Sequence, residues 1–81
     1  MEIRNLVTFV RIAETQNFSR TAEQLGYSQS AVTMQIKQLE GELRTQLFER
    51  IGKQVKLTQA GERLLPYALG ILKAVRQAEE I

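Results

Sequence analysis

Neither cysteine nor histidine occurs among the 81 residues, tryptophan is absent, and proline appears once. The first two absences remove the usual zinc ligands and the usual general base at neutral pH. An enzyme could still be built from carboxylates and lysines, but it would need a cleft that so short a chain struggles to form. No catalytic residue, metal or cofactor is therefore expected. Without cysteine there is no disulfide framework, which agrees with a reducing, cytoplasmic setting. Long hydrophobic runs are missing too: apolar stretches last only a few residues, against the ~20 that a membrane-spanning helix needs. The opening Met1-Glu2-Ile3-Arg4-Asn5 is mixed in charge and has no apolar stretch of the signal-peptide kind. The expectation is a cytoplasmic protein with no membrane partner. Internal repeats, low-complexity segments and Pro/Gly-rich linkers are absent as well.

What is present is an ordinary globular composition, 43% hydrophobic, enough for one core and too short for two. The net charge is only +2, but its placement is uneven. Residues 1–27 and 59–81 each sum to zero. Residues 28–58 carry Lys37, Arg44, Arg50, Lys53 and Lys56 against Glu40, Glu42 and Glu49, so the whole surplus lies in the middle third. A local basic surplus suits a polyanionic partner and equally suits a solvated charged surface.

Periodicity divides the chain into short elements. From Arg4 to Thr15, Leu6, Phe9, Val10 and Ala13 fall on one helical face. Gln16-Asn17 interrupts, and Phe18 reads as a lone core aromatic. Ser19 is a good N-cap for a short second helix over Arg20–Leu25, with Ala22 and Leu25 buried. Gly26 stops it where a left-handed backbone needs no Cβ. Ser28 then caps a third helix over Gln29–Leu43. Here Val32, Ile36, Leu39 and Leu43 share a narrow arc when each residue turns by ~100°. The opposite arc holds Ser30, Thr33, Met34 and Lys37. An outer face with no partner usually fills with Glu, Lys and Arg. This one is small, polar and free of acid for two turns, and Glu40 and Glu42 come only near its end. Such a helix can bring its N-terminal half close to an anion. Two helices joined by a turn of about four residues, Gly26–Gln29, form a helix-turn-helix, and the second helix suits the major groove of B-DNA. A plain three-helix core with a solvated outer face fits the same pattern.

Further on, Leu47-Phe48-Glu49-Arg50-Ile51, Gly52-Lys53 and Gln54-Val55-Lys56-Leu57 alternate about a glycine turn as a β-hairpin does. Phe48, Val55 and Leu57 are expected inward, and Arg50, Lys53 and Lys56 outward. A basic hairpin behind a recognition helix is a wing that can reach phosphates or the minor groove; a merely structural capping hairpin fits as well. Thr58 caps a long last helix towards Ile81. Leu64, Ala68, Ile71, Val75 and Ala78 line one of its faces, and Leu65, Leu69 and Leu72 a neighbouring one. Pro66 should kink it. Beyond the kink, the apolar surface of Ala68, Leu69, Ile71, Leu72, Val75 and Ala78 is expected to be exposed in a monomer and covered by a second copy. The pattern breaks off at Glu79-Glu80-Ile81 as if the chain were cut from something longer.

Five blocks in register carry a resemblance over essentially the whole chain: Phe18-Ser19-Arg20-Thr21-Ala22-Glu23-Gln24-Leu25, Ser28-Gln29-Ser30-Ala31-Val32-Thr33, Ile36-Lys37-Gln38-Leu39-Glu40, Leu47-Phe48-Glu49-Arg50 and Leu57-Thr58-Gln59-Ala60-Gly61. In order and spacing they resemble the LysR-type transcriptional regulators. The resemblance implies a mainly α fold: a winged helix-turn-helix at residues 1–58, with a three-helix core and a short β-hairpin, and a linker helix at 59–81. It implies a homodimer through that helix, with a tetramer in the full-length protein. The bound site would be double-stranded DNA with an interrupted dyad. It also implies an effector-binding domain, absent from this chain, through which a small-molecule inducer would act.

Residue by residue, the resemblance places Gln29, Ser30, Thr33 and Met34 against bases or phosphates. The Gln29 amide can pair bidentately with adenine, and Thr33 can donate to phosphate or touch a thymine methyl. Lys37 suits phosphate, Arg50 and Lys53 suit a wing, and Ser19, Arg20 and Ser28 lie at helix starts that can hold phosphate. The chain departs from the family where Ser30 replaces a frequent proline, Met34 and Lys53 frequent arginines, and Arg44 the glycine that usually ends the recognition helix. Gly41, three residues earlier, marks either a different helix end or a weak spot of ~1 kcal/mol. The same fold can instead serve as a protein–protein interaction module. That alternative predicts binding indifferent to DNA sequence and a third helix tolerant of substitution.

Overall fold

The computed structural model describes residues 1–81. In chain order it contains α1 (Ile3–Thr15), α2 (Phe18–Leu25), α3 (Gln29–Leu43), β1 (Phe48–Ile51), β2 (Gln54–Leu57) and α4 (Gln59–Glu79). Helices dominate, and the two strands form one antiparallel hairpin. No helix is long and apolar enough to cross a membrane.

The core follows the helical periodicity. Leu6, Phe9 and Ile12 of α1 meet Ala22 of α2 and Val32, Ile36 and Leu39 of α3, with Leu47 and Val55 closing the wing side. Full burial of such side chains contributes ~1.5–3 kcal/mol each, which makes this the main source of stability. Between α1 and α3 runs a polar seam. Asn5 and Thr8 are buried, and their side chains donate to the amide oxygens of Gln38 and Gln35 on α3. No buried side-chain polar atom is left without a partner.

The helix ends explain the turns. Ser28 and Thr58 cap α3 and α4, their hydroxyls accepting from the N–H groups of Ala31 and Gly61 at 3.1 Å each. Gly26 ends α2 with φ +75°, and the Tyr27 N–H reaches back to the Ala22 carbonyl at 2.9 Å. The cap of α2 corrects the sequence reading. It is Asn17, in extended backbone, whose Oδ1 accepts from Arg20 N–H at 2.8 Å. Asn is as good an N-cap as Ser. Helix α2 therefore starts earlier than expected, with Phe18 as its first residue, and the Ser19 hydroxyl is left free for another bond. At the end of α3, Arg44 itself takes the left-handed conformation, φ +56°, and Gly41 lies inside the helix in open space.

Helix α4 corrects a second expectation, the place of Ala68. It is one helix of 21 residues that runs through Pro66, and it packs along α1. Ala68, expected at an interface between copies, is fully buried in the chain's own core, and Ile71 and Leu72 are half-covered by it. The reason is size: a small residue at 68 lets α4 approach α1 closely. Leu69, 49% exposed, remains open.

Candidate nucleic-acid interface

The site is assembled from three starts: the first turns of α2 and α3 and the hairpin. Asn17 and Ser28 fix those turns by capping them, which leaves Ser19, Arg20, Gln29 and Ser30 in solvent. Along α3, Thr33 is half-buried, while Met34, 66% exposed, and Lys37 face outward, as the arc predicts.

The hairpin is positioned at its base and along β2 from several directions. The Val55 N–H donates to the carbonyl of Gln16, a residue held at φ +58° between α1 and α2. Glu40 of α3 accepts from the Leu47 N–H at 2.7 Å, and the Thr58 hydroxyl donates to the Gln46 carbonyl at 2.6 Å. Gly61 presses so close to this segment that a Cβ there would lie 2.3 Å from the Leu47 carbonyl oxygen. Gly52 takes φ +63° at the first turn position, which a two-residue hairpin turn can demand and glycine supplies.

Register places Phe48 opposite Leu57, Arg50 opposite Val55, and Glu49 opposite Lys56. Directly paired residues share a face, so Arg50 lies on the Phe48–Val55–Leu57 side, not with Lys56 as the sequence reading had it. The cause is the strand period: residues 48 and 50 cannot point to opposite faces. Arg50 is exposed at the edge of that side, with its guanidinium carbon 6.0 Å from the centre of the Phe18 ring, a cation–π distance.

Arg50 and Phe18 stand between two recesses. Ser19, Gln29 and Lys53 line one with them, and Thr33, Lys37 and Glu40 line the other. The structure thus brings together Ser19, Gln29, Thr33, Lys37, Arg50 and Lys53. Arg20, Ser28 and Ser30 are exposed nearby without lining either recess. Met34 belongs to a separate hollow on the α1 side, which it shares with Arg4. Sequence reasoning passed over Arg4, because the charges of residues 1–27 cancel and nothing in the pattern set this arginine beside α3. The chain has two ion pairs, Met1 amino group with Glu42 and Arg11 with Glu14, and neither involves Lys37, Arg50 or Lys53. Those cations are free to meet an anion.

The family model described as "Bacterial regulatory helix-turn-helix protein, lysR family" matches residues 3–62. This chain belongs to the LysR family. Among relatives of the LysR-family chain, the uncharacterized HTH-type transcriptional regulator YwqM of Bacillus subtilis (strain 168) is 48% identical over 79 residues, 98% of this chain and 27% of that protein. The RuBisCO operon transcriptional regulator of Allochromatium vinosum is 43% identical over 81 residues, 100% of this chain and 27% of that protein. The chain thus spans about a quarter of the length of these regulators. A crystal structure described as a BenM DBD/catB site 1 DNA complex is similar with a TM-score of 0.93 and 39% identity, covering 99% of this chain and 90% of that one. The winged helix-turn-helix read from the sequence agrees with that likeness, as does the family.

Proposed function

We propose that this LysR-family chain is the DNA-binding part of a transcriptional regulator and binds double-stranded DNA sequence-specifically, as a homodimer on an interrupted dyad. The observation that carries the reading is the convergence of Gln29, Thr33 and Lys37 on α3 with Ser19, Arg50 and Lys53, the cations free of carboxylate partners. Helix α3 enters the major groove with its N-terminal turns against the base edges, where its unpaired N–H groups also favour phosphate. Gln29, Ser30, Thr33 and Met34 meet bases. Arg20, Ser28 and Lys37 hold phosphates, and Arg50 and Lys53 carry the wing to the backbone and minor groove. The likeness to a chain crystallised with DNA supports the same docking.

The second copy covers the groove between α1 and α4, where Ile3, Val7 and Val10 face Leu69, Leu72 and Val75. Ile71 and Ala78 extend this interface. Residues 1–58 then form the reading unit, and 59–81 the linker helix, whose Ala68 stays in the reading unit's core. In-vitro selection from a random duplex library at physiological salt tests the whole reading. An interrupted dyad is expected. Recovery without sequence preference, together with binding that vanishes as salt rises, would overturn it.

A further inference from the structure

In the unbound chain the Gln29 carboxamide is already held. The Ser19 Oγ donates to its Oε1 at 2.9 Å, across the turn between α2 and α3. Ser19 is free to do this because Asn17 has taken the capping role at the start of α2. The bond has a direction that the surroundings reinforce. Ser19 and Gln29 share their recess with Arg50 and Lys53, neither of which has a carboxylate partner. The first turn of α2, on which Ser19 sits, adds its own partial positive charge. A recess so charged draws the oxygen end of an amide inward and repels its NH2. Turning the amide over would set two N–H groups against two cations.

We propose that Ser19 is a positioning residue that turns the Gln29 carboxamide so that its NH2 faces the DNA, and that the chain therefore reads a keto base, guanine or thymine, at the position Gln29 meets. This rests on the DNA-binding reading above. Glutamine recognises adenine by accepting from N6 while donating to N7, which requires both ends of the amide at the base edge. With its oxygen held against Ser19, Gln29 offers donors alone. Guanine answers with two acceptors, N7 and O6, and thymine with O4. Cytosine offers only an amino donor, and adenine sets its N6 amino donor beside a single acceptor, N7, so that a donor-only amide is opposed at one of the two positions. The base that Gln29 reads is thus set from a different helix.

The experiment is selection from a random duplex library with the full chain, Ser19→Ala, Ser19→Thr and Gln29→Ala, followed by affinity measurements on the four duplexes that differ at the Gln29 position. Gln29→Ala identifies that position as the one where preference is lost. The wild-type chain and Ser19→Thr, which keeps the hydroxyl, are expected to prefer guanine or thymine there. Ser19→Ala is expected to shift the ratio towards adenine by roughly 5- to 150-fold, the span one well-made base contact commands. A Ser19→Ala chain that keeps the wild-type preference overturns the inference. So does one that loses affinity equally on all four duplexes, or a wild-type chain that already selects adenine. A wild-type chain that selects no sequence at all overturns the DNA reading itself, and this inference with it.

Discussion

The recognition face and the α1–α4 groove are both open to solvent, yet they are made of different material. On the first, Gln29, Ser30 and Thr33 stand among Lys37, Arg50 and Lys53, cations without ion-pair partners. On the second, Ile3, Val7, Val10, Leu69, Leu72 and Val75 form an apolar strip edged by Arg11, Glu14, Lys73, Arg76 and Glu79, charges of both signs. One surface loses water readily and gains from any apolar cover. The other keeps its water until a charged, hydrogen-bonding partner replaces it. Exposure by itself therefore does not define a site; what the exposed groups would need as partners does.

The comparison can be broken most thoroughly from below, since both surfaces stand on one core. Phe9→Ala should cost ~3–5 kcal/mol, a large part of the stability of so small a domain, and thermal unfolding should show both surfaces lost together. Gly61→Ala should also destabilise, by ~1–3 kcal/mol, because its methyl group would run into the Leu47 carbonyl, backbone that cannot easily give way, and into the Leu57 side chain. A smaller effect separates the surfaces. Leu69→Glu should weaken dimerisation by ~2 kcal/mol or more in sedimentation measurements, because a carboxylate would replace an apolar side chain in the covered strip, while leaving half-site binding intact. Conversely, Thr33→Ala should cost ~1–3 kcal/mol on the specific site with little loss on random DNA and an unchanged dimer. Lys53→Ala should reduce the salt slope of binding by roughly 1 for one lost phosphate contact. Smallest is Gly41→Ala, which touches neither surface and has open space for its methyl: a gain of ~0.5–1 kcal/mol in denaturant unfolding, with DNA binding unaltered.

Much of this organisation is legible in the sequence, because caps and periodicity act locally. Ser28, Gly26 and Thr58 mark element ends through bonds to residues no more than five positions away, and the arc of Val32, Ile36 and Leu39 follows from helix geometry alone. What escapes is decided at a distance or between near-equals. Asn17 and Ser19 are equally good caps, and only the backbone chooses. Asn5 and Thr8 carry no sequence signal of burial, and their partners exist only once Gln38 and Gln35 are brought opposite them. Ala68 looks like part of an outer stripe until α1 lies against it. For the recognition face, the third-helix residues are readable from their arc, whereas the place of Arg50 beside Phe18 depends on strand register. Arg4, next to Met34, depends on the crossing of α1 and α3.

The hairpin is held at its root, Glu40 to Leu47 and Thr58 to Gln46, and again along β2, where Gln16 accepts from the Val55 N–H and from the Gln54 side chain. The turn itself, Gly52-Lys53, makes no hydrogen bond outside the hairpin. Reach and aim are consequently separable in this molecule. Aim is set by contacts at the root and along β2 to Gln16, Glu40 and Thr58, while reach is a matter of how many rungs follow. Adding two cross-strand pairs at the tip would extend the hairpin by ~7 Å along the same line, at 3.2–3.4 Å for each residue. That is about the rise of two base pairs at ~3.4 Å each, so a longer hairpin could touch a more distant stretch of duplex while the reading helix stays where it is.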